Sequence, residues 1–188
     1  RNARYWHALG NACLRADENA KAVEAFRRAV EMDSRFSDAY NDLGVAYLRQ
    51  QQWDQAIDAF RKALANPQYL NPERAHINLG NAYMAQGKYP LAVDEFRRVA
   101  DVMPQSPDGF FLWGRALRAQ GKTAEAKEQL EKAIKMNGMV AVFHLEMGIT
   151  LAQLGDKTQA REHLQRAIDL NPATQEASEA RRRLQELK

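Results

Sequence analysis

The segment AQGKT at residues 119–123 carries the glycine, lysine and threonine of a loop that wraps phosphate. Four histidines and one cysteine supply the commonest metal ligands and nucleophiles. None of these completes a site. A phosphate loop needs a further glycine five residues before Gly121, and Ala116 stands there. Neither HLEMG (144–148) nor REHLQ (161–165) places a second histidine four residues after the first, so the zinc-protease spacing is missing. Cys13 is the only cysteine, which excludes a disulfide framework and a cysteine metal cluster, and it reads as a small core residue. His7, His76, His144 and His163 are scattered. The residues therefore point away from an enzyme, from a cofactor or metal, and from a small-molecule substrate.

Charge narrows the partners further. The 27 basic and 24 acidic residues are interspersed in both signs for a net +3, so no continuous basic stripe is available to track a nucleic acid. The 45% hydrophobic content is enough for a core, yet no apolar run is long enough to span a bilayer. Residues 1–13, starting at Arg1, have the pattern of a helix interior. We expect from this that an upstream segment, with any targeting signal, has been removed.

What must position the remaining polar and aromatic residues is a repeat. Leu9-Gly10, Leu43-Gly44, Leu79-Gly80, Trp113-Gly114 and Met147-Gly148 recur at spacings of 34, 36, 34 and 34. Three residues before each large apolar residue stands Trp6, Tyr40, His76, Phe110 or His144. Twelve residues after each glycine comes Ala22, Ala56, Ala92, Ala126 or Ala160. Phe26, Phe60, Phe96, Leu130 and Leu164 follow four residues on, then Ala29, Ala63, Val99, Ala133 and Ala167.

This pattern resembles the tetratricopeptide repeat over residues 3–172. The resemblance implies an all-α fold, a right-handed α-solenoid of five helix pairs, A and B. Five tandem repeats are expected across 1–174, at approximately 3–36, 37–72, 73–106, 107–140 and 141–174. Residues 175–188 are expected as a C-terminal capping helix, with Leu184 and Leu187 inward and Arg181, Arg182 and Arg183 in water. Gly10, Gly44, Gly80, Gly114 and Gly148 let the paired backbones approach. Gly87, Gly121 and Gly155 end helix A with a positive φ. Pro90 is expected as a first helical residue, and Asn71 as the cap before Pro72. The spacing of 36 places two extra residues in the second junction, with Tyr69 and Leu70 as the surplus apolar pair. They either shim the junction or lie on the outer surface.

In this family the concave face is built from helix A, and the period assigns its positions. The expected partner-binding groove is Ile77, Asn81, Met84, Phe111, Arg115, Arg118, Val142, Leu145 and Ile149. A secondary polar groove consists of Arg4, His7, Asn11, Asn41 and Arg49. An apolar or amphipathic peptide suits the first set, while burial of the strip by neighbouring helices is the other reading. Chaperone co-factors of this family clamp a C-terminal carboxylate with lysines and asparagines. Here His7 and Asp42 replace a lysine and an asparagine, which argues against that mode.

The stretch ALANPQYLNPERAHINLG, residues 63–80, resembles a junction in the pilotins of type IV pilus secretins. The match rests on Ala63-Leu64, Tyr69, Pro72-Glu73-Arg74 and Asn78-Leu79-Gly80. It implies a lipoprotein on the periplasmic face of the outer membrane whose repeats bind secretin subunits. The anchoring cysteine would lie upstream, since Cys13 falls inside a repeat helix. A cytoplasmic repeat adaptor that organises a multiprotein complex is the alternative.

Overall fold

The computed structural model describes residues 2–187. Arg1 and Lys188, the outer ends of the expected repeat span and capping helix, lie outside the described residues. The described residues form eleven α-helices and no strand. They pair in chain order as α1 (Ala3–Arg15) with α2 (Asn19–Met32), α3 (Ser37–Arg49) with α4 (Trp53–Leu64), and α7 (Pro107–Ala119) with α8 (Thr123–Met136). The pair α9 (Ala141–Gln153) and α10 (Lys157–Leu170) is followed by α11 (Gln175–Glu186). Between them in the chain come α5 (Pro72–Ala85) and α6 (Tyr89–Val102). The expected repeat limits fall in the loops, except that Pro72 already belongs to α5.

The chain divides into two compact units, Arg1–Lys88 and Tyr89–Lys188. In the first, α2 packs on α3 and α4 on α5. In the second, α6 packs on α7, α8 on α9 and α10 on α11. Each helix B thus covers the helix A that follows it. One residue class makes the A–B pairs within each unit close. A Cβ built on Gly10 would sit 2.5 Å from the Phe26 ring, and one on Gly148 would sit 2.6 Å from Leu164 Cγ. Gly44 meets Phe60 in the same way, and Gly114 meets Leu130. Gly80 is buried in α5. The recurring alanines and the Phe26, Phe60, Phe96, Leu130 and Leu164 side chains are fully buried.

The A–B turns need one residue with positive φ. Gly87, Gly121 and Gly155 fill that place in the last three repeats. In the first two it is taken by Asp17 (φ 58°) and Gln51 (φ 60°), where an L side chain crowds the backbone. Two expected helix starts differ in detail. Pro90 is the second residue of α6, still within the turn whose N–H groups lack intrahelical partners. Asn71 stands at the N-cap of α5, but its side chain makes no capping bond; the start is set by Pro72 at the first turn.

The two extra residues of the second junction split their roles. Asn66 donates to the Arg35 carbonyl (3.0 Å) and to Ser37 Oγ (3.1 Å), tying this loop to the α2–α3 loop. Its Oδ1 accepts from the Gln68 amide at 3.0 Å, which folds the chain so that Tyr69 turns inward. Tyr69 is buried with Ala63 and Ala75, flanked by Tyr40 and Leu64, and so acts as the shim. Burial pushes its hydroxyl pKa up, and the nearby Asp38 carboxylate adds to the effect. Leu70, by contrast, is 90% exposed.

At the C-terminal end, α11 buries Ala177, Ala180 and Leu187, with Leu184 half-buried. Arg181 and Arg182 face water as expected. Arg183 does not: it is half-buried and bridges Glu179 (2.7 Å) and Glu186 (3.3 Å).

These contacts predict opposite effects for two glycine changes. Gly148→Ala should cost about 1–3 kcal/mol, because Leu164 lies within the space of the new methyl. Gln51→Gly should add about 0.5 kcal/mol by relieving the left-handed turn. Urea unfolding midpoints check both.

Candidate functional site

In the first unit, helices α1, α3 and α5 lie side by side. Their shared face is tied together by one carboxylate. A carboxylate only accepts, so His7 Nε2–H donates to Asp42 Oδ2, at 2.7 Å. Asn41 Nδ2 donates to Asp42 Oδ1 (3.2 Å), and the Arg74 guanidinium lies 3.5 Å from the same oxygen. Asn78 Nδ2 reaches Asn41 Oδ1 at 3.0 Å, so the network runs from α1 through α3 to α5. Asp42 is 13% exposed and fully engaged. It is a structural acid that joins three helices A, and its charge is the reason His7 and Arg74 are held here.

Of the expected polar groove, Asn41 is therefore buried and His7 is half-buried. Asn11 lies 3.3 Å from the His7 ring. Arg49 Nη1 donates to the Leu14 carbonyl at 2.8 Å, closing the C-terminal end of α1. Arg4 is exposed. Ile77, Asn81 and Met84 sit half-buried along α5.

The second unit places the apolar positions deeper. Phe111, Leu145 and Ile149 are buried, and Val142 is half-buried against them. The Phe111 ring stacks on Phe143 with centroids 4.8 Å apart, and the Arg115 guanidinium lies 5.6 Å over Phe111. Arg118 gives Nε and Nη2 to Glu146 Oε2, at 3.0 and 2.8 Å, joining α7 to α9. Of the two readings of the strip, burial by neighbouring helices holds for Phe111, Leu145 and Ile149. What reaches the surface is Val142, Arg115 and the edge of the Arg118–Glu146 pair.

Two features escape a reading confined to helix A. The first is a cleft of about 680 Å³ between α2 and α4, floored by Tyr40, Leu43 and Tyr47 of α3. Its rim carries Arg27, Glu31, Asp54 and the Lys62–Asp58 ion pair (2.7 Å), whose hydrogen bond pushes the Lys62 pKa up. The sequence signal was available: Ala59 opens this space, where later repeats carry Glu95, Gln129 and His163.

The second is a histidine pair in the last repeat. His144 Nε2–H donates to the Gly138 carbonyl at 3.0 Å, which leaves Nδ1 of the neutral ring as an acceptor. His163 Nδ1 stands 2.9 Å from it and donates, with the rings stacked at 5.1 Å. Burial lowers both pKa values below the ordinary 6.5; the positive charge of Arg166 adds to this at His144, and His144 itself at His163. Among the described residues, no group of three or more His, Cys, Asp or Glu is placed to hold a metal ion. Nor is any helix long and apolar enough to cross a membrane.

A family model described as tetratricopeptide repeat matches residues 7–69, 41–109, 111–174 and 145–184. The chain belongs to the tetratricopeptide repeat family. Solved structures share its fold. MamA (41-end) from Desulfovibrio magneticus RS-1 is 18% identical, with a TM-score of 0.82 over 92% of this chain and 97% of that one. YrrB, a tetratricopeptide repeat protein with an unusual peptide-binding site, is 24% identical with a TM-score of 0.76 over 94% and 90%. PilW, a widely conserved type IV pilus biogenesis factor, is 24% identical with a TM-score of 0.82 over 99% of this chain and 82% of that one. No curated protein matches. Tetratricopeptide repeat chains are protein-interaction scaffolds that bind protein or peptide partners and are typically non-catalytic.

The Arg118–Glu146 pair is largely shielded from water, so removing one partner strands the other. We expect Glu146→Ala to cost about 3 kcal/mol and the double change Arg118→Met, Glu146→Leu to cost less, measured by urea unfolding. The histidine pair gives a pH dependence. Because the folded pKa values lie below 6.5, the unfolded chain binds protons first as pH falls. The pair's contribution is whole above pH 6.5 and is lost as pH drops toward the folded values. Stability should therefore fall as the pH drops below about 6.5, and His163→Gln should flatten that slope.

Proposed function

We propose that this chain is a type IV pilus biogenesis pilotin, a non-catalytic repeat protein that grips secretin subunits and aids their outer-membrane localisation or assembly. The observation that carries the reading is the irregular junction at 63–80, where Asn66 and the buried Tyr69 set an inserted loop ahead of Pro72-Glu73-Arg74. The likeness to the pilus biogenesis factor PilW along 99% of this chain supports it. In this reading the protein works on the periplasmic face of the outer membrane, held by a lipid anchor outside these residues. Anchor and grip suffice without catalysis.

The grip is assigned to the helix A residues that still reach the surface: Ile77, Asn81 and Met84 in the first unit, and Val142 with Arg115 in the second. Phe111, Leu145 and Ile149 then support the Val142 part of the second unit from below. Leu70 favours a second contact, since nothing in a solvated loop requires so exposed a leucine.

Deletion of the gene in its native host, followed by gel detection of secretin multimers in the outer-membrane fraction, tests the reading. We expect multimers to be lost, and restored by the wild-type gene but not by Met84→Glu with Val142→Glu. Failure of Leu70→Asp alone to restore them would move the grip to the loop. Unchanged multimers in the deletion strain would eliminate the pilotin reading and leave an adaptor.

A further inference from the structure

Two aromatic rings on helices A are covered by a cation from a helix B. Lys132 Nζ of α8 lies 5.7 Å over the Phe110 ring of α7 and donates to Gln129 Oε1 at 3.1 Å. Arg61 of α4 lies 6.0 Å over the Tyr83 ring of α5 and donates to its hydroxyl at 2.8 Å. By the repeat, Phe110 and Tyr83 hold the places of Tyr40 and Tyr47, and their two cations the places of Lys62 and Arg27.

In the second repeat that arrangement is undone. Ala59 stands where Gln129 stands, so Lys62 has no such acceptor and turns to Asp58 of its own helix, at 2.7 Å. Arg27 is exposed and makes no ion pair or hydrogen bond among the described residues. No cation of the described residues lies over Tyr40 or Tyr47. With Leu43 these two rings floor the cleft of about 680 Å³ between α2 and α4.

The walls of that cleft carry three carboxylates, Glu31, Asp54 and Asp58, against two bases, Arg27 and Lys62. Glu31 takes Arg28 at 3.4 Å, and Lys62 answers Asp58. Asp54 sits one turn before Asp58 on α4, a repulsive spacing, and is met only by the neutral Gln86 amide at 3.1 Å. Asp54 and Arg27 are thus the lining charges without a counter-ion. The floor decides between them, because the face of a phenol ring attracts a cation and repels a carboxylate. A main-chain carbonyl is enough for the Arg27 guanidinium.

We propose that the α2–α4 cleft binds an arginine side chain of a partner protein, stacked on the open tyrosines against Asp54, with a neighbouring apolar residue on Leu43 and Ala59. The planar guanidinium can stack and give two N–H groups to one carboxylate, which an ammonium cannot. Arg61 on Tyr83 is the contact within the chain that this would reproduce. The site lies away from the helix A grip and does not rest on the pilotin reading.

The test titrates the full chain, isotope-labelled, with acetyl-leucyl-arginyl-leucinamide, and with the same peptide carrying glutamine or glutamate at its centre. Amide shifts between Tyr40 and Lys62 are expected with the arginine peptide alone. Asp54→Asn should weaken its binding about threefold, as loss of a solvent-exposed charge pair does. Arg27→Ala removes a competing cation and should tighten it. Ala59→Gln should abolish it, since the glutamine gives Lys62 the acceptor that Gln129 gives Lys132. Urea midpoints check that each variant stays folded. No shifts at millimolar arginine peptide, equal shifts with the glutamine or glutamate peptide, or undiminished binding by Asp54→Asn would overturn the inference. So would a concentration-dependent dimer of the chain that closes the cleft and that the peptide fails to displace.

Discussion

Everything in this fold depends on how closely two helices of a pair approach at one glycine. With no Cβ at Gly10, the Phe26 ring lies flat against the backbone of α1, and the same holds for Gly44 with Phe60. The ring then fills the space between helices A and B completely, contributing about 1.5–3 kcal/mol of burial each time. At Gly114 and Gly148 the partner is a leucine, which is narrower in one dimension and bulkier in another, yet the glycine is still required. A single pair made this way buries only one side of each helix, so each helix B must find the next helix A.

That second requirement explains where charge is spent. Neighbouring helices A meet along a narrower seam than an A–B pair, apolar in the second unit where Phe111 stacks on Phe143. Both units also carry a polar link across this seam: the shielded Asp42 carboxylate with His7 and the exposed Arg74 in the first, and the shielded Arg118–Glu146 pair in the second. Apolar residues of equal size would match or exceed the stability of such pairs. They would not fix the register of one helix A on the next, because leucines slide where a guanidinium giving two N–H groups to one carboxylate oxygen does not. We read these charges as setting that register. Their consequence for recognition is direct, since a carboxylate already holding a histidine and an arginine is closed to an incoming ligand.

Much of this was legible from spacing alone. The glycine-to-Phe or -Leu contact and the fully buried alanines follow from the period, because a residue type recurring at one place in every repeat reports the same kind of neighbour each time. The positive-φ turns at Asp17 and Gln51 were not legible, since neither residue announces that conformation and the requirement is visible only beside Gly87, Gly121 and Gly155. Nor could periodicity tell that Phe111, Leu145 and Ile149 are covered. A helical face assigns direction, but coverage depends on how far the adjoining helices lean in. The His144–His163 pair joins positions on different helices of one repeat, at two sites where other repeats carry unrelated residues.

The positions that break the period are therefore the informative ones, and the physical reason is the same at each. A position that obeys the repeat is explained by stacking, which every neighbour demands in the same way. A position that departs from it has been released from that demand or bears another. Tyr69 is a departure that packing absorbs, because the shim it forms fills the space made by two extra residues. Ala59 stands at a position the repeat leaves variable, and its small side chain leaves Tyr40 and Tyr47 as the floor of a cleft. Leu70 is a departure that packing within the described residues leaves unanswered: its apolar surface stays in water at a cost of about 25 cal/mol per Å². In a scaffold of the kind that binds protein or peptide partners, such unanswered surface is a source of a partner's binding energy.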